Sequence, residues 1–124
     1  MRFLLLIGAG GFLGTIARYL MQAGVTKLIP IIFPLGTLAV NIIGCFLIGV
    51  FYAWGDRTEG ISPEMRFFLT TGFCGGFTTF SAFSYESYQL MQQQQYAYMA
   101  LYITLSVVLG ILATIGAIAL MRMV

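Results

Sequence analysis

The sequence contains no histidine, only two cysteines, set far apart, and only four carboxylates in 124 residues. These absences exclude a Cys/His zinc site and a Ser-His-Asp or Cys-His triad. Charged residues make up 8% of the chain, against roughly a quarter in an ordinary soluble domain. The net charge of +2 comes from ten scattered charges, so no basic patch exists to hold a phosphate backbone. A soluble enzyme, a disordered tail and a nucleic-acid binder are all excluded.

Apolar residues fill the space the charges leave, at 60% of the chain. No charge lies between Lys27 and Asp56, from Phe67 to Tyr85, or from Ser87 to Met121. Crossing about 30 Å of hydrocarbon takes about 20 apolar residues as helix. Four spans fit, at about 3–23, 33–54, 65–90 and 96–121. The runs do not alternate as barrel strands would, so the expected fold is an all-α membrane bundle in one four-helix domain. A cleaved signal peptide is disfavoured for the first span, because Gly10, Gly11, Gly14 and Arg18 interrupt it and no clear cleavage site follows. Pro30 and Pro34 shape the first turn, Ser62-Pro63-Glu64 reads as a helix start, and Gln92–Gln95 is a polar turn.

Arg2, Arg57, Arg66 and Arg122 share the face that holds both termini; Lys27 lies on the other, joined by Arg18 if it snorkels. That count favours cytoplasmic termini. Four short helices leave little room for an internal pathway, so a transport role points to an oligomer. Small residues at Gly10 and Gly14, and at Gly110, Ala113, Gly116 and Ala117, suit close helix contact, either within one chain or between two copies. Cys45 and Cys74 both lie within spans and read as buried thiols.

The third span is unusual. Gly72, Gly75 and Gly76 and the pairs Thr70-Thr71 and Thr78-Thr79 occupy its middle. Each glycine weakens a helix by about 1 kcal/mol relative to alanine. A break beside Gly75-Gly76 would free backbone carbonyls near the midplane, and freed carbonyls at broken helices coordinate cations. The same composition also fits a continuous helix with a glycine packing face. Beyond it, Phe80 and Phe83 share one helix face, with Ser81 and Ser84 as a neighbouring hydroxyl stripe. Ring edges are electropositive, so edges beside hydroxyls suit a small anion, although such a pair also serves plain packing. Asn41, with Thr37 four residues earlier, and Tyr102, with Ser106 four residues later, add polar groups to spans two and four. Arg18 and Glu86 are the charges set into spans, each toward an end, where snorkelling and an entrance role are both open.

Gly10-Gly11-x-x-Gly14-x-x-x-Arg18-Tyr19, Gly36-Thr37-Leu38-x-Val40-Asn41-x-x-Gly44 and Gly72-Phe73-x-Gly75-Gly76-Phe77-Thr78-Thr79-Phe80-Ser81-x-Phe83-Ser84 resemble the Fluc/CrcB fluoride channels. Length, span number and motif order agree; Ala82 stands where a hydroxyl residue is often found. The resemblance implies an inner-membrane channel that exports fluoride passively, built as an antiparallel, dual-topology homodimer with two pores. It implies that Phe80, Phe83 and Asn41 line the pore with Ser81, Ser84, Tyr102, Ser106 and, less securely, Thr37. Gly75 and Thr78 match the carbonyl ligands of a structural sodium ion between subunits, and Arg18 matches a structural or vestibule arginine. The main rival is a small multidrug-resistance-type proton-coupled exporter, also a four-span dimer. That mechanism needs an acid deep in the first span, which here carries only Arg18. A purely structural subunit would not need a polar track across three spans.

Overall fold

The computed structural model describes all residues, 1–124, and its regular elements are all helical. Helix α1 runs Arg2–Leu28 and α2 runs Leu35–Gly55. The third crossing comes in pieces: α3 (Pro63–Phe67), a π-helical segment (Phe68–Cys74), α4 (Gly75–Phe77) and α5 (Phe80–Gln92). Helix α6, Tyr96–Met123, completes the bundle. Helices α1, α2 and α6 are each long and apolar enough to cross a membrane. Only 17 of 124 residues are buried, and the exposed side chains are largely Leu, Ile, Val and Phe. Such a surface suits lipid and would be insoluble in water.

The turns follow their sequence signals. Ser62 caps α3 by accepting the Met65 N–H at 3.3 Å, with Pro63 at the first helical position. Gln94 takes a positive φ of 58° in the turn between α5 and α6. At the terminal face, Arg66 pairs with Asp56 at 3.1 Å and lies over the Tyr52 ring at 4.8 Å. Arg57 donates to the Met121 carbonyl at the last turn of α6, where the helix dipole favours a cation.

The small-residue faces pack within one chain. A methyl group built on Gly10 would meet the Phe68 carbonyl, and one on Gly14 the Phe73 carbonyl. One on Gly72 would lie 2.8 Å from the Ile7 oxygen and 3.0 Å from the Gly10 Cα. One on Gly76 would meet the Gly11 carbonyl. The contact between α1 and the third crossing is therefore backbone against backbone. The π segment, Phe68–Cys74, lies within this contact. The sequence carried no signal for this segment. Gly110 and Ala117 bury against α2, where Thr114 donates to the Cys45 carbonyl at 2.9 Å, while Gly116 faces outward.

The break does not fall where the glycines suggested. Gly75 lies at φ −61°, ψ −40°, and Gly76 stays helical within α4. The chain leaves the helix at Thr78 (φ −89°, ψ 159°) and Thr79 (φ −151°, ψ 119°). β-branched residues favour extended backbone, and these two have partners there. The glycines instead provide close approach to α1.

Gly14→Ala should lower the thermal midpoint in detergent by the equivalent of about 1–3 kcal/mol, because the obstructing atom is a backbone carbonyl. Gly116→Ala, with nothing within 4 Å, should leave it unchanged. Equal midpoints for both variants would contradict the packing described.

Candidate functional site

Extended backbone at Thr78 and Thr79 interrupts the hydrogen-bond ladder of the third crossing. In a membrane each orphaned polar group costs several kcal/mol, so partners must come from elsewhere. Asn41, on α2, supplies both kinds. Its Oδ1 accepts the Thr79 N–H at 2.8 Å, and its Nδ2 donates to the Thr79 carbonyl at 3.1 Å. A methyl on Gly44, one turn further along, would strike the Thr78 side-chain methyl, so Gly44 makes room for the break.

The flanking half-helices are capped in turn. The Thr79 hydroxyl accepts the Ala82 N–H at 3.1 Å, as the N-cap of α5. The Thr78 hydroxyl and Thr78 N–H both donate to the Cys74 carbonyl at 2.9 Å. Arg18 donates from Nε to the Gly76 carbonyl at 3.0 Å. Diverting the Thr79 and Ala82 N–H groups has a direct consequence. The Gly75 and Thr78 carbonyls thereby lose the N–H partners four residues on that an unbroken helix would give them. Gly75 is exposed, with open space beside it.

Beside the break lies a cavity of about 310 Å³. Asn41, Thr78, Thr79, Phe80, Phe83 and Ser106 line it, with Gly44, Cys45, Ile48 and Val107. No charged side chain lines it. The Ser106 hydroxyl is buried there without a hydrogen-bond partner, an unusual state for a buried polar group. One Asn41 amide N–H also remains unused. Phe80 and Phe83 do share a face, with centroids 5.6 Å apart. Phe80 is 79% exposed on the single chain.

Phe83 links this cavity to a second polar group by stacking on Tyr102 at 5.1 Å. Tyr102 is wholly buried and donates to Glu86 Oε2 at 2.8 Å. Thr37 donates to Glu86 Oε1 at 2.7 Å and accepts from Gln22 Nε2 at 3.0 Å. Both Glu86 carboxylate oxygens accept hydrogen bonds, from hydroxyls on two different helices.

The expected pore residues therefore separate into two groups. Asn41, Phe80, Phe83 and Ser106 meet at the break, while Thr37 and Tyr102 gather around Glu86. Ser81 touches only the rim, with its hydroxyl 3.3 Å from that of Thr79, and Ser84 is exposed away from both groups. Neither Arg18 nor Glu86 snorkels; each has partners inside the bundle. The sequence marked Thr79 only as half of a threonine pair, not as a site residue, and did not mark Gln22. Thr79 as N-cap, three residues before Ala82, was the available signal, whereas nothing local marks Gln22.

The sequence has relatives. The family model described as "CrcB-like protein, Camphor Resistance (CrcB)" matches residues 5–118. The chain belongs to that family. It is similar to the "Fluoride-specific ion channel FluC" of Flavobacterium psychrophilum, at 46% identity over 92% of each chain. The protein of that name from Leptospira interrogans is 50% identical over 87% of this chain and 85% of its own. That from Phocaeicola vulgatus is 51% identical over 90% of this chain and 92% of its own. Family membership, long apolar helices and bacterial relatives make this a multi-pass inner-membrane protein and not an enzyme. The multidrug-exporter alternative falls with them.

Asn41→Ala removes both bonds to Thr79 and should destabilise the folded state by about 1–3 kcal/mol. Hydrogen exchange at the Thr79 amide should quicken more than exchange along α2. An unchanged Thr79 rate would show that Asn41 does not hold the break.

Proposed function

We propose that this chain is a fluoride-selective channel through which fluoride leaves the cell passively. The observation that carries the reading is the cavity at the break. It has uncharged walls, a buried Ser106 hydroxyl without a partner, a spare Asn41 N–H and two phenyl rings. A small, strongly hydrated anion must exchange its water for hydrogen-bond donors, and these residues offer them. The first N–H groups of α5 face the same break and favour negative charge. Phenyl edges add weak positive potential. With no lysine or arginine in the lining, the anion is held loosely enough to leave, as conduction requires.

The working unit of this reading is an antiparallel, dual-topology homodimer with two pores and a structural sodium ion between the copies. A two-fold axis in the membrane plane brings midplane residues of one copy against the same residues of its inverted partner. The carbonyls of Gly75 and Thr78, deprived of the N–H groups four residues on, suit such an ion: they are neutral hard oxygens, Gly75 is exposed, and no carboxylate joins them. Two from each copy would surround it. Bound there, sodium supplies a fixed positive charge that raises the potential of both anion paths in a low-dielectric interior.

The purified protein in liposomes should release fluoride in a fluoride-electrode assay and retain chloride. Phe80→Ile and Phe83→Ile, which keep apolar bulk but remove the polarised edge, should each slow release several-fold at unchanged protein yield. Absence of fluoride release from the wild type would refute the channel; equal release from both variants would reduce the rings to packing.

A further inference from the structure

Arg18 is the one cationic side chain set inside the bundle, and it has no counter-charge. The chain's only ion pair is Asp56–Arg66, at the terminal face. Glu86, the carboxylate of α5, is occupied by Thr37 and Tyr102. Arg18 is absent from the lining of the cavity at the break. Its hydrogen bond within the chain runs from Nε to the Gly76 carbonyl, at 3.0 Å. In an unbroken helix that carbonyl would accept the Phe80 N–H, which lies beyond the break. It sits at the carbonyl end of the first half-helix, where partial negative charge gathers. The close glycine contacts of α1 hold Arg18 beside it: Gly14 lies against the Phe73 carbonyl, and Gly76 against Gly11 and Thr15.

We propose that Arg18 is a positioning residue for the broken crossing. Its guanidinium takes the place of the Phe80 N–H at the Gly76 carbonyl. It thereby fixes the end of α4, so that Thr78 and Thr79 leave in the extended direction that meets Asn41. The break is held from both sides, by Arg18 on α1 and by Asn41 on α2. Charge alone does not fill this role. A guanidinium presents Nε–H in a rigid plane, whereas a lysine ammonium is a mobile point charge. The effect on flux rests on the fluoride-channel reading; the effect on the break does not.

The test compares wild type, Arg18→Lys and Arg18→Gln in lipid, by fluoride release and by solid-state NMR of the Gly76 carbonyl carbon and the Thr79 amide. The expected result is that both variants shift both signals, quicken Thr79 amide exchange and lower fluoride release at least about tenfold. In the wild type, a through-space correlation between Arg18 Nε and the Gly76 carbonyl carbon is expected, which needs no variant to fold. Wild-type release and unmoved signals in Arg18→Lys, with release lost only in Arg18→Gln, would overturn the proposal in favour of charge alone. Shifted signals with wild-type release, or a missing wild-type correlation, would also overturn it. If the wild type releases no fluoride but shows the correlation and the shifts, the channel reading fails while the positioning role stands.

Discussion

Two hydrogen bonds between the Asn41 amide and the Thr79 backbone are the interaction on which the rest of the site depends. An extended peptide in mid-crossing has no ladder to join, and lipid offers it nothing. A side-chain amide, with one acceptor and two donors, matches a peptide unit. Once Asn41 has taken the Thr79 N–H, the Gly75 carbonyl loses its partner four residues on. Once the Thr79 hydroxyl has taken the Ala82 N–H, so does that of Thr78. These carbonyls, the start of α5 and the cavity beside them all follow from where the chain is pinned.

Close packing makes that pinning possible. The glycines of α1 and of the third crossing bring backbone to within van der Waals reach, which no residue with a Cβ permits at Gly14 or Gly72. Such contact supplies dispersion energy where lipid gives no hydrophobic drive. It also sets the height of Arg18 against Gly76. Glu86 belongs to a separate network, tied to the break only through the Phe83–Tyr102 stack. The chain thus keeps the carboxylate of α5 out of the uncharged cavity. A negative side chain in that lining would repel an anion strongly at low dielectric.

Much of this was legible in the sequence. Charge-free stretches located the crossings because hydrocarbon tolerates so few charges. Asn41 stood out because an amide in such a stretch is costly without a partner. The spacing of Phe80 and Phe83 gave their shared face. The glycines misled on the site of the break: low helix propensity is a weak prior, and close approach to α1 determined the conformation of Gly75 and Gly76 instead. The division of the polar residues was hidden as well. Thr37 and Asn41 lie four apart on one helix, yet one reaches Glu86 and the other Thr79, because one faces the middle of α5 and the other the break before it. The π segment had no local signature.

The central claim is that the pinned break is itself where the anion is held. Fluoride titration of the protein in lipid, followed through the Asn41 side-chain amide and the Ser106 side chain by solid-state NMR, addresses it most directly. The account predicts that both signals move together with added fluoride, saturate at one concentration and ignore chloride. Fluoride passage with both signals unmoved would place the path elsewhere and contradict the account.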